Sequence, residues 1–442
     1  MFVNAKANNT EDKARQLCEK LYLAAKTSPT RRFHALYDKV YRTDFLEDAW
    51  KQVKRNRGSA GTDGESITDI LSKGPEHVLC EIQETFEAKR YRPKSVKRVY
   101  IPKPDGRKRP LGIPTIRDRI VQASMKALLE PIFEVDFLDC SYGFRPDRSP
   151  HDALESIRKA NNAGYTVVLD ADIRGYFDNI NHDRLIECVE KRISDRRVVK
   201  LIRQWLRSGV MEPDGFHETE LGTSQGGVIS PLLANVYLHE FDKFWTEQTD
   251  VKGILVRYCD DFVILFRTER EAERGMKLVQ CKMREMGLRL HEKKTKIVET
   301  RSGNGSFEFL GFHNHRVRSP KYCRFYLQMW PGQKAMNRLR FKIREVLDRR
   351  STLTWDIEDI VKMLNPILRG WMNYFKYGNS SKKFSHIDSY VHDRLALWWS
   401  KKHVKSGRRW GTDFTYEKYK ECGIQILTGN VVYWSKRSNA QG

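Results

Sequence analysis

The chain has 442 residues, of which 80 are Lys or Arg and 57 are Asp or Glu, a formal net charge of +23. That length supports several domains and a large core, and the positive surplus exceeds what solubility requires, which points to a polyanionic partner. Mean hydropathy is −0.64, and no run approaches the ~20 apolar residues of a membrane span.

Met1–Glu11 lacks the apolar stretch of a signal peptide. No long basic amphipathic helix or lipidation motif argues for a membrane partner. The eight cysteines lie singly, without a Cys-x-x-Cys pair. That argues against a zinc ribbon or a disulfide framework and fits a reducing cytoplasm.

Residues 11–57 predict helices, with Leu17, Leu21, Leu36 and Tyr37 as core positions, and a glycine-punctuated loop follows from Gly58 to Gly64. From Lys89 to Arg109 ten of 21 residues are Lys or Arg. Between Tyr165 and Ile173, Val167, Leu169, Ala171 and Ile173 alternate with Thr166, Val168, Asp170 and Asp172, a period-two strand that puts both acids on one face. Ile254–Tyr258 and Phe262–Phe266 read as the strands of a hairpin, with Cys259, Asp260 and Asp261 as its turn. Strands and helices alternate to about residue 315, an α/β region. From about 330 the chain is helical, basic and rich in tryptophan, with a boundary near Pro331–Gly332.

Two carboxylates on a rigid turn can ligate a divalent metal, which phosphoryl transfer needs. Taken alone, an Asp-Asp pair more often marks a solvated turn. Asp170 and Asp172 taken alone read as strand-end capping or salt bridging.

The surrounding motifs decide between these readings. LDADIRGYFDNINH (169–182), LGTSQGGVISPLLANVYLHEFD (221–242) and YCDDFVILF (258–266) resemble the sequence blocks of reverse transcriptases, in their order. IPKPDGRKRPLGIPTIRDRIVQ (101–122) and SYGFRPDRSPHDAL (141–154) resemble the blocks before them, and GLRLHEKKTKIV (287–298) and FEFLGF (307–312) those after. LNPILRGWMNYFKYG (364–378) is similar to the maturase, or X, domain of group II intron proteins. The resemblance spans roughly residues 40–400 and identifies a group II intron-type reverse transcriptase/maturase.

The fold it implies is α/β (α+β): a right-hand polymerase with fingers and an antiparallel-sheet palm, then an all-helical thumb/maturase domain. The expected divisions are 1–88 for an N-terminal helical extension and the start of the fingers, 89–320 for fingers and palm, 321–405 for the thumb/X domain, and 406–442 for a short basic tail. No Cys-paired endonuclease is expected.

The resemblance implies that Asp172, Asp260 and Asp261, with the Ile173 carbonyl, hold two Mg²⁺ ions, Mn²⁺ serving as a substitute. Oxygen ligands suit these ions. Asp170 reads as structural. Phe177 would be the steric gate that selects dNTPs. Lys103 and Arg109 would bind triphosphate, with Lys97, Arg98, Arg107 and Lys108 competing for that role. Gln225 would contact the incoming nucleotide, and Lys294 would protonate or neutralise pyrophosphate. Arg145 would grip template, while Arg338, Arg340, Lys342 and Arg344 would track a phosphate backbone. Arg369, Trp371, Tyr374 and Phe375 would contact RNA, packing between helices being the alternative for the aromatics. Ser224 stands where the family has proline, and Cys259 where it has alanine.

The partners implied are an RNA template, a DNA or RNA primer, dNTPs and a group II intron RNA whose splicing and retrohoming the protein assists. The oligomeric state stays open, a homodimer included. A free-standing relative acting in DNA repair or defence would keep the same active site. A catalytically silent RNA-binding splicing factor would lose the metal carboxylates, all of which are present.

Overall fold

The computed structural model describes residues 10–102, 108–212, 215–217, 221–223, 226–320, 323–403 and 413–434. Its strands in chain order are β1 (Val96–Pro102), β2 (Lys108–Ile113), β3 (Val167–Asp172), β4 (Val210–Glu212), β5 (Gly215–His217), β6 (Ile254–Tyr258), β7 (Asp261–Phe266), β8 (Lys296–Glu299), β9 (Ser306–Phe309), β10 (Phe312–Arg318) and β11 (Phe325–Pro331). They form a central sheet ordered β6-β7-β3-β8, a second sheet ordered β2-β1-β4-β5 and a third ordered β11-β10-β9.

The central sheet is antiparallel throughout. Its strands read as near-continuous apolar runs because both faces are covered. Val167, Leu169 and Ala171 of β3 enter one core with Leu255, Phe262, Ile264 and Phe266. Val168 enters a second core with Val256, Val263 and Leu265. The helix Glu269–Glu285 packs under β3, β7 and β8, and the helix Pro150–Asn162 packs against β6, β7 and β11. Each starts with a capping box, Thr268 with Glu271 and Ser149 with Asp152, which satisfies two orphan N–H groups at the helix entry. The helix Ser230–Lys243 is buried on nearly every side, matching its apolar sequence.

The N-terminal helices Thr10–Thr27, Thr43–Arg55 and Pro75–Glu87 join the first core through Leu21, Phe45, Trp50 and Phe86. The helices Gln333–Leu347, Ile357–Phe375 and Ser381–Lys402 build the second core. Gly332 precedes the first of these, so the change to helix falls at Pro331–Gly332.

Two expected divisions need correction. A break at residue 320 would cut the β10–β11 hairpin, whose strands pair from Phe312–Pro331 to Arg318–Phe325. Nor is the stretch after 405 simply a tail: Phe414, Tyr419, Leu427 and Trp434 are buried in the second core. The Asp388 carboxylate pins this returning segment, accepting from the Leu427 and Thr428 N–H groups at 2.9 and 2.8 Å. Among the described residues, no helix is long and apolar enough to cross a membrane.

Candidate active site

The β3–β7 register sets Asp172 directly opposite Asp261. Tyr258 pairs with Asp261, so the hairpin turn is Cys259–Asp260 and Asp261 opens β7. Two-residue hairpin turns need positive φ at the first or both central positions, and Cys259 supplies it at +58°. Asp260 is thus at the tip, beside the facing pair Asp172 and Asp261.

Asp261 retains solvent-accessible surface, yet protein atoms crowd its carboxyl group. Burial first, then the charges of Asp260, Asp172 and Asp170, push it up to about 7. Burial also raises Asp170, to about 6, against the lowering pull of Lys296. Lys296 is its cross-strand partner on β8, which suits the structural reading of Asp170. The Lys294 ammonium donates to Asp172 Oδ2 at 2.8 Å. Behind it, the His291 N–H donates to the Asp172 backbone carbonyl at 2.7 Å. Among the described residues no three carboxylates, imidazoles or thiols already converge as a ligand set. What the site presents is an all-oxygen cluster with excess negative charge, partly balanced by Lys294 at Asp172 and Lys296 beside Asp170. Those donors fit a hard divalent cation.

Asp170, Asp172 and Asp261 line a cleft of about 690 Å³ whose other walls include Lys293, Lys296, Lys334 and Arg338. The cleft leads from the carboxylates to the exposed basic start of the helix Gln333–Leu347. Ile173, the next residue along from Asp172, is buried and bridges to Leu290.

Phe177 is half-buried against the first core, its ring 5.3 Å from that of Tyr176. Its carbonyl accepts from the Thr223 N–H at 2.7 Å, tethering the segment that leads to Gln225. Downstream, Gly226 packs so tightly that a Cβ there would lie 2.0 Å from the Gly112 carbonyl oxygen of β2. Only glycine permits that approach. The Val228 N–H then donates to Gln122 Oε1 at 2.8 Å. Lys103, Arg107, Ser224 and Gln225 themselves lie outside the described residues.

Arg109 and Arg369 are not among the residues lining this cleft. Arg109 is exposed on β2, opposite Ile101 in the second sheet. Arg369 is exposed and donates to Gln425 Oε1 at 3.3 Å.

Arg145 is a correction. Its guanidinium is enclosed, with bonds to Glu134 at 2.7 Å and to the Leu138 and Ser141 carbonyls at 2.6 and 2.8 Å. With its donors spent internally, it braces its loop and offers none to a template.

Arg340 is a second correction. Arg338 and Lys342 share one exposed helix face, whereas Arg340 turns over the Tyr390 ring at 5.4 Å. A two-residue step on a helix rotates a side chain by about 200°. Arg344 is exposed.

Trp371 and Tyr374 are packing residues. Trp371 lies against Phe375 and Phe384 with ring centroids at 4.8 and 5.6 Å. The Tyr374 hydroxyl donates to the Leu310 carbonyl at 2.9 Å, and burial pushes it up to about 12. Both rings line the floor of a groove of about 520 Å³ that has Arg338 and Lys342 among its walls.

Residues 101–314 match the family model described as reverse transcriptase (RNA-dependent DNA polymerase), and 336–414 match the group II intron, maturase-specific domain. Protein YkfC of Escherichia coli K12 is 32% identical over 364 residues, covering 73% of this chain and 93% of that protein. The chain belongs to the group II intron reverse transcriptase/maturase family. It carries that family's RNA-directed DNA polymerase domain ahead of a maturase domain. The group II intron-encoded protein LtrA of Lactococcus lactis is 41% identical over 214 residues, 48% of this chain and 35% of LtrA. An uncharacterized 91 kDa protein in a cob intron of Schizosaccharomyces pombe is 28% identical over 418 residues, 79% of this chain and 51% of that protein. The chain therefore spans nearly all of YkfC but about half or less of the other two.

Proposed function

We propose that this protein extends a primer 3′-hydroxyl with dNTPs on an RNA template, and that the extension occurs at Asp172, Asp260 and Asp261. The carrying observation is the register that faces Asp172 with Asp261, Asp260 beside them, at the head of a cleft walled by Lys334 and Arg338. In this reading the β1–β2 region forms fingers, the central sheet the palm, and the helices after Gly332 the thumb. Two Mg²⁺ ions held by these carboxylates and the Ile173 carbonyl would activate the hydroxyl and neutralise charge on the phosphates, with Mn²⁺ able to substitute.

The chain's own residues do the rest. Lys294, which donates to Asp172, would meet the leaving pyrophosphate. Phe177 would exclude a ribose 2′-hydroxyl. Arg338 and Lys342 would follow the primer–template backbone. Lys103, Arg109 and Gln225 would attend the incoming triphosphate.

The exposed basic face of the C-terminal helices would bind intron RNA, assisting splicing and retrohoming without chemistry of its own. Retention of all three carboxylates speaks against a silent splicing factor.

Primer extension on an RNA template with dNTPs and Mg²⁺ tests the reading. Wild type should extend, Asp260→Ala should not, and Phe177→Ala should accept ribonucleotides more readily. Tight RNA binding without any extension by wild type would remove the polymerase claim.

A further inference from the structure

The turn that presents Asp260 is held in a conformation its sequence does not favour. Cys259 has φ +58°, a left-handed value that a non-glycine residue keeps only when its surroundings impose it. The imposing group lies two residues earlier. Arg257 is completely buried, and so is Asp242. The Arg257 guanidinium donates to the Cys259 carbonyl at 3.0 Å, to Asn235 Oδ1 at 3.1 Å and to Ser141 Oγ at 2.8 Å. It also grips both oxygens of Asp242, one of them at 2.7 Å.

Asn235 extends the connection, its Nδ2 donating to the Gly143 carbonyl at 2.7 Å. Gly143 in turn presses on the hairpin: a Cβ there would lie 2.5 Å from the Cys259 nitrogen. The segment before it runs beside β6, with the Tyr142 N–H donating to the Arg257 carbonyl at 2.8 Å and the Arg257 N–H to the Cys140 carbonyl at 2.7 Å. One guanidinium therefore joins the helix Ser230–Lys243, the stretch 140–143 and the carboxylate turn.

Stability alone is a poor reason for such a cluster. A buried ion pair contributes no more than apolar side chains of equal volume, because desolvation offsets the attraction. Here the donors not committed to Asp242 end on the turn itself or on groups that touch the segment packed against it.

We infer that Arg257, Asp242 and Asn235 are positioning residues that lock the Cys259–Asp260 turn and so aim the Asp260–Asp261 pair. The inference rests on the polymerase role proposed for those carboxylates. None of the three reaches the cleft; they act through the Cys259 and Gly143 backbone.

The test compares full-length variants for thermal midpoint, primer-extension rate and the Mg²⁺ concentration giving half-maximal extension. Arg257→Met combined with Asp242→Leu removes both charges. It should melt near wild type yet need about tenfold more Mg²⁺ and extend about tenfold more slowly. Asn235→Ala should move the Mg²⁺ midpoint the same way by about threefold. Arg257→Lys keeps a charge for Asp242 but cannot fork to three further acceptors, so it should keep the fold without restoring that midpoint.

A purely structural role would lower the melting point and leave the Mg²⁺ midpoint alone. Midpoints within about twofold of wild type in Asn235→Ala and Arg257→Lys would overturn the inference, and these two decide the matter if the double variant does not fold. Asp260→Ala, run in parallel, separates the claims. If it extends primers normally, the carboxylate reading fails; if it is inactive while the cluster variants match wild type, only the positioning role fails.

Discussion

At the cleft end of the central sheet, Asp172 and Asp261 face each other on adjacent strands, crowded by Asp260, with Lys294 bonded to Asp172. On the helix Gln333–Leu347, Arg338 and Lys342 stand one turn apart in solvent, over a groove lined by the half-buried rings of Trp371 and Tyr374. The first region concentrates like charge and partly dehydrates it, on a turn strained to hold it. The second spreads charge where water can screen it. Chemistry on phosphate requires fixed, underneutralised ligands before the substrate arrives, whereas gripping a polyanion needs only accessible cations that displace its counterions.

The sharpest way to break this contrast is to neutralise one carboxylate. Asp261→Asn should lower extension by about a thousandfold or more, since it removes a proposed metal ligand. In chelator, the same substitution should raise the thermal midpoint, because repulsion from Asp260 and Asp172 disappears. A variant that melts below wild type without Mg²⁺ would mean that the carboxylates are not under electrostatic stress.

A smaller effect separates two arginines of one helix. Arg338→Ala should weaken primer–template binding and reduce the slope of log affinity against log salt by about one. Arg340→Ala, whose side chain covers Tyr390, should leave that slope unchanged. Equal slopes for the two variants would erase the distinction between the faces.

The smallest effect lies beneath the groove. Tyr374→Phe should cost about 1 kcal/mol in a denaturant melt through loss of the bond to Leu310, with RNA affinity unchanged. A loss of RNA affinity at unchanged stability would return Tyr374 to the binding surface.

The same contrast explains what sequence discloses. Strand alternation has a period of two, so Asp170 and Asp172 could be given a face without knowing the fold, and the hairpin fixed where Asp260 and Asp261 would emerge. Whether Asp261 belongs to the turn or to β7 escapes that reading, because a polar residue at a strand end leaves no alternation signal. On the helices, the wrong expectation for Arg340 and the open choice for Tyr374 have another cause. Basic and aromatic residues there suit either solvent or packing, and only the neighbouring helix decides. Arg145 misleads for a related reason: nothing local reveals that Glu134, eleven residues earlier, will engage it. The Arg257 cluster did leave a trace. An arginine inside an apolar strand needs a counter-charge, and Asn235 and Asp242 sit seven residues apart, two turns along a largely apolar helix.

The ammonium beside Asp172 has a consequence for how the protein meets its ion. Lys294 already engages the Asp172 carboxylate from a tether, so under the proposed reading a divalent cation would enter by exchange and not by filling a bare anionic hole. Tethering gives that occupant an effective concentration that free sodium or potassium cannot match. Background salt should therefore exchange poorly there, while an ion of double charge would displace the lysine. On that reading the chain would fold with the charge of Asp172 partly answered and the repulsion around Asp261 left in place until magnesium is captured.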